Sequence, residues 1–153
     1  MKDAHPKPCK KERREWIRLL ANAGLSDLED ARRQLENPVA YKYIVRPETG
    51  LLMVQAKADG SHNRFHLGEV SVTKCVLEIE DRYLGYGMVT GSNRDHAELA
   101  AMFDGLLQHP DYHDDLKRQL LDKLEKQQRR AARDMEQEAE RTRVEFFTLK
   151  REE

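Results

Sequence analysis

Apolar and polar positions alternate most cleanly in the middle of the chain. The stretch RFHLGEVSVTKCVLEIEDRYLGYGMVTGSNRDHAELA, Arg64 to Ala100, carries Val70, Val72, Val76, Leu77 and Ile79 in a run of extended character. Asp81-Arg82 interrupts that run and Tyr83–Val89 resumes it, which predicts two antiparallel strands joined by a short turn. The second strand ends at Thr90-Gly91-Ser92-Asn93. A helix begins there, with Ser92 or Asn93 as its cap and Asp95 and Glu98 in its first turns, facing the positive end of the helix dipole. Hairpin, glycine turn and helix form the unit onto which the rest is built.

Upstream, residues 1–9 contain two prolines and read as a disordered lead. From Lys10, Trp16, Ile17, Leu19, Leu20 and Ala23 fall on one helical face, with Gly24 as the stop. Ser26-Asp27-Leu28-Glu29 has the form of a capping box, opening a second helix to about Glu36. Val39–Val45 and Leu51–Ala56 predict two more strands around a Pro47-Glu48-Thr49-Gly50 turn. With short turns throughout, the expectation is an α+β fold: a four-stranded antiparallel meander with an N-terminal helical pair and helices packed on one side.

Downstream, an amphipathic helix from about Arg94 to Gln108 is broken by Pro110, and a longer one runs from about Asp111 to Arg141. Leu116, Leu120, Leu121 and Leu124 give its first half a core face, whereas its second half is almost wholly charged. Beyond it, Val144–Leu149 is an apolar patch that monomers usually avoid exposing. It either returns to this sheet as a strand or docks on another subunit. The expected division is a lead at 1–9, one α+β domain at 10–124, and a charged helical arm with an apolar tail at 125–153.

Composition narrows the function classes. The 153 residues are 36% charged, but 27 Lys and Arg balance 28 Asp and Glu, leaving no global field for nucleic acid or an anionic membrane. No apolar run approaches the ~20 residues that span a bilayer, and the N-terminus lacks the apolar core of a secretory signal. Cys9 and Cys75 stand far apart and outside any CxxC, so neither a disulfide framework nor an iron–sulfur or structural zinc site is supported, and the cytoplasm is the expected compartment.

Spacing alone reveals no active site. His62 and His66 flank a loop and a strand start, and Asp95-His96 with Glu98 opens a helix; neither is a metal motif. Gly85, Gly87 and Gly91 precede a helix N-terminus, which binds anions, but they match no phosphate-loop spacing. Gly85 and Gly87 share one strand face, where their plainer role is close approach by a backbone or ring. Cys75 reads as a buried apolar group rather than a thiolate, and Glu69 and Lys74 suit ligand contact or an edge strand equally.

Four separated blocks carry a resemblance. RPETGLLMVQAKADG (46–60), RFHLGEVSVTKC (64–75), LGYGMVTGSNRDHAELAAMFDGLLQ (84–108) and RVEFFTLKR (143–151) together resemble the PhnG family, the G subunit of the bacterial carbon–phosphorus lyase core complex. The resemblance implies a role in organic phosphonate catabolism. In this family the G, H and L subunits assist the I subunit in replacing adenine of MgATP with an alkylphosphonate, giving the α-D-ribose 1-alkylphosphonate 5-triphosphate. Radical cleavage follows on an iron–sulfur J subunit. The implied partners are H, I and J, with I the main contact; MgATP belongs to the complex, and no cofactor or metal is expected in this chain.

The resemblance also supplies contact positions: Glu69, Thr73, Lys74, Gly85, Gly87, Gly91, His96 and Glu98 for ligand or interface, and Arg143, Val144, Phe146, Phe147 and Leu149 for partner docking. An accessory subunit is the leading reading. The alternative is a subunit that lends groups such as Glu69, Lys74 or His96 to an interfacial active site. A nucleic-acid binder using the basic stretch Gln128–Arg133 would betray itself by salt-dependent affinity.

Overall fold

A computed structural model describes residues 9–57 and 64–141. Its sheet has three strands, β1 (Tyr41–Lys57), β2 (Arg64–Ile79) and β3 (Tyr83–Thr90), antiparallel and in sequence order. The four-stranded meander is therefore corrected to three strands. Pro47-Glu48-Thr49-Gly50 does not reverse the chain; β1 runs through it as one 17-residue strand. The register shifts between Val45 and Glu48, so Pro47 falls in a bulge on an edge strand, where its missing N–H costs no ladder bond. A 16-residue β2 is long enough to pair along all of β1, which removes any need for a turn.

β2 and β3 alternate as a half-buried pair should. Thr73, Cys75, Leu77 and Ile79 face inward beside Gly85, Gly87 and Val89, while Leu84, Tyr86 and Met88 face out. The connecting turn holds Glu80 and Asp81 at φ 54 and 51, a left-handed pair that shape their own partners: Asp81 binds Lys42, and Glu80 accepts from His109 at 3.1 Å.

Helix α3 (Arg94–Leu107) lies on the inner face, with Ala97, Ala100, Ala101, Phe103, Leu106 and Leu107 all buried. Each large apolar side chain so buried contributes about 1.5–3 kcal/mol. Asn93 is its cap, accepting from the His96 N–H at 3.0 Å. Helices α1 (Lys10–Ala21) and α2 (Leu25–Arg33) pack beside it through Trp16, Leu19, Leu20 and Leu28. The capping box at Ser26 does not form. Gly24 occupies the cap position without a side-chain bond, because the helix starts at Leu25 and so draws that side chain onto the core.

Pro110 opens α4 (Pro110–Leu116), where a proline at the first helical turn removes only an N–H that has no partner in the helix. The rod continues through a π turn (Lys117–Leu121) into α5 (Asp122–Arg141). The smaller angular step of the π turn lets the adjacent Leu120 and Leu121 both face inward. Lys123 binds Asp27 at 2.7 Å and Gln128 donates to the Leu19 carbonyl at 2.8 Å, tying α5 to both N-terminal helices. From Arg129 to Arg141 every residue is exposed. The apolar tail 143–149 and the loop histidine His62 lie outside the described residues.

Candidate functional site

Three of the sequence candidates meet where β3 gives way to α3. The Thr73 hydroxyl donates to the Gly91 carbonyl at 2.7 Å and shares a 3.0 Å bond with the Thr49 hydroxyl. Gly91, at φ +94 in a conformation that suits glycine, donates its N–H to the Ser71 carbonyl at 2.8 Å. His96, in the first turn of α3, places Nε2 3.0 Å from the Leu20 carbonyl, which pins α3 to α1. Thr73 is fully buried, so its hydroxyl must be satisfied inside the protein, and it is.

Glu98 stands nearby as the acceptor of the Tyr41 hydroxyl, with Tyr43 at the same carboxylate and its ring 5.5 Å from that of Tyr41. Burial first, and then the hydrogen bond to Glu98, holds the Tyr41 phenol well above its ordinary range. The same two causes raise Tyr43. Neither tyrosine carried a signal in the sequence, because a tyrosine in a strand is ordinary β composition.

The other candidates are dispersed. Gly85 and Gly87 lie under α3, where an added Cβ would sit 1.9 Å from the Ala101 carbonyl oxygen and 2.0 Å from that of Ala97. Lys74 is on the outer face in a 2.9 Å ion pair with Glu48, and Glu69 is exposed further along β2, opposite Met53. Arg143, Val144, Phe146, Phe147 and Leu149 lie outside the described residues. Among the described residues no group of three or more His, Cys, Asp or Glu side chains could hold a metal ion, and no helix is long and apolar enough to cross a membrane. A surface cleft of about 530 Å³ where α2 ends, lined by Arg32, Arg33, Pro38, Val39 and Met102, contains none of the candidates.

The most heavily bonded polar group is one that spacing did not single out. Asp104 is 0% exposed on α3 and receives Arg13 Nε at 3.2 Å, Arg13 Nη2 at 2.7 Å, Trp16 Nε1 at 2.7 Å and the Tyr86 N–H at 2.8 Å. The Leu84 carbonyl receives Arg13 Nη2 at 2.8 Å and Gln108 Nε2 at 2.7 Å. These side chains satisfy the Leu84–Tyr86 part of the free edge of β3 and obstruct strand pairing there. The available signal was a lone carboxylate inside the apolar run AAMFDGLL.

Cys75 is completely buried, and burial, with a smaller contribution from the Glu98 charge, pushes its thiol up to about 11. The folded chain therefore keeps a proton that the unfolded chain releases from about pH 9. This contribution to stability is full below that pH and is lost as pH rises towards 11. The expected result is a urea midpoint that falls across this window, and falls less steeply in Cys75→Ala. Equal slopes for the two proteins would remove the thiol from the account.

A family model described as "Phosphonate metabolism protein PhnG" matches residues 11–152. The chain is also 36% identical over 143 residues to the alpha-D-ribose 1-methylphosphonate 5-triphosphate synthase subunit PhnG of Rhizobium meliloti (strain 1021). That alignment covers 92% of this chain and 89% of the relative.

Proposed function

The chain belongs to the PhnG family of phosphonate-metabolism proteins, and we propose on that premise that it is an accessory subunit of a ribose 1-methylphosphonate 5-triphosphate synthase. The observation that carries the reading is the similarity to a subunit so named, which extends over nearly the whole of both chains. In this reading the chain supports a cytoplasmic complex that replaces adenine of MgATP with an alkylphosphonate. The chain itself holds no cofactor, and its partners are the H, I and J subunits, with I its main contact.

An accessory role is favoured over a catalytic one by the state of the interior candidates. Thr73, His96 and Glu98 each have a hydrogen-bond partner within the chain, and those bonds join β1, β2, α1 and α3 to one another. Groups used this way build the fold rather than wait for substrate. Of the exposed candidates, Lys74 is held in an ion pair with Glu48, so the second reading, a shared catalytic site, is best tested through Glu69.

The deciding experiment is co-purification with the I subunit, comparing the intact chain with one ending at Thr142. Retention of the intact chain alone is the expected outcome and makes the terminal segment a docking element. Failure of the intact chain to be retained would overturn the subunit reading. In the reconstituted synthase, Glu69→Gln is expected to leave turnover within about twofold; a loss of 10²-fold or more in an intact complex, the scale of general acid–base catalysis, would favour the shared-site reading instead.

A further inference from the structure

β1 and β2 continue as a pair well past the end of β3. β3 covers β2 only from Val72 to Ile79, whereas β1 and β2 stay paired out to Lys57 and Arg64. At about 3.3 Å per residue, this two-stranded arm extends some 20 Å beyond the three-stranded sheet. Its large apolar side chains are widely exposed: Leu51 at 69%, Leu52 at 51%, Met53 at 53%, Phe65 at 46% and Leu67 at 67%, with Val70 at 38%. Leu52 pairs with Val70 and Met53 with Glu69, so Leu52 and Met53 point to opposite faces and the arm is apolar on both. An isolated two-stranded ribbon is marginal in water. Contiguous apolar side chains left this open to water mark an interaction surface.

The edges of the sheet differ. β1 carries Pro47 and two bulges, and the Leu84–Tyr86 part of β3 is bonded to Arg13, Gln108 and Asp104, whereas the arm's stretch of β2 has a single bulge, at Leu67. The Arg64–Val70 stretch of β2 has no strand on its β3 side among the described residues, which leaves its backbone groups there open to pairing. Position supplies the rest. The arm begins at the Ser71–Gly91 bond, which leads into the α3 N-terminus; His96 there touches Leu20 at the end of α1, and Gln128 of α5 touches the adjacent Leu19. The arm and the outgoing half of α5 therefore leave the same end of the domain.

We propose that the arm is a docking element for another subunit of the synthase, which adds an extended apolar segment to the open β2 edge and covers Leu67 and Phe65. The inference rests on the subunit reading above and specifies its surface: the two-stranded arm, at the end of the domain from which α5 leaves. Main-chain pairing gives such an interface its affinity and the alternating apolar side chains its selectivity.

The test uses the full chain and the co-expressed I subunit. Amide exchange at Arg64–Val70 is expected to slow at least about tenfold in the complex, and Leu67→Asp and Met53→Asp are each expected to weaken binding at least about tenfold, the scale of an interface hot spot. Both positions are exposed, so an unchanged thermal unfolding profile will show that the fold is intact. Wild-type binding by both variants, or unchanged exchange at these amides, would overturn the arm while leaving the subunit reading standing. No retention of the wild-type chain would overturn the reading itself. A homodimer of the isolated chain that Leu67→Asp breaks, with the amides protected there and not by the I subunit, would show that a second copy is the occupant and overturn the proposal.

Discussion

Replacing Asp104 by alanine is expected to lower the unfolding free energy by roughly 3 kcal/mol, the lower end of what breaking a buried ion pair costs. The buried carboxylate receives four hydrogen bonds, from Arg13, Trp16 and the Tyr86 backbone. Without it, Trp16 Nε1 is left unpaired in a side chain that is only 2% exposed, at a cost of about 1–3 kcal/mol. The Arg13 side chain is 28% exposed and can turn to water, which moderates its share. Asp104→Asn keeps an acceptor and should fall between. Equilibrium urea unfolding measures both; a change under about 1 kcal/mol for alanine would mean that the hub is not a principal tie between α1, α3 and β3.

Gly85→Ala and Gly87→Ala carry the second large effect. Each new methyl would stand 1.9–2.0 Å from a backbone carbonyl oxygen of α3, Ala101 or Ala97, and a backbone atom cannot rotate away. The helix would have to lift off the sheet, so each variant is expected to lose about 3 kcal/mol, the upper end for overpacking a core. Gly105→Ala is the internal control. Its methyl meets Ile79 Cδ1 at 2.6 Å, the end of a side chain that can shift, and alanine regains up to about 1 kcal/mol of helix propensity. Thermal unfolding should rank Gly105→Ala well above the other two. Comparable losses for all three would show that α3 adjusts freely and that the glycines are not what sets its distance from the sheet.

How far the fold was legible depended on whether the decisive contact was local. β2, β3, the Asn93 cap and α3 follow from alternation, turn and periodicity within one continuous stretch, and they appear as expected. The Pro47–Gly50 segment has the chemistry of a turn, and only the length of its distant partner β2 decides that it stays extended. Ser26 has the spacing of a capping box, but the packing of Leu25 starts the helix two residues earlier, with Gly24 as the cap. Asp104 is the clearest loss: its partners lie 91, 88 and 18 positions away, beyond the reach of any window. Tyr41 meets Glu98 across 57 positions for the same reason.

Those sequence separations also set a schedule. The β2–β3 hairpin and α3 are made from neighbouring segments, whereas the bond from Arg13 to Asp104 closes a loop across 91 positions. Long loops are entropically expensive to close before other contacts hold their ends, so α1 is expected to dock after the folding transition state. Kinetically, Asp104→Ala should then lengthen little of the refolding time and act almost entirely by speeding unfolding. Until that late docking, Asp104 holds only the Tyr86 N–H, and the Leu84 carbonyl has Gln108 but not Arg13. The α1 helix, made before the elements on which it docks, is in this sense the latch that the nascent chain closes last.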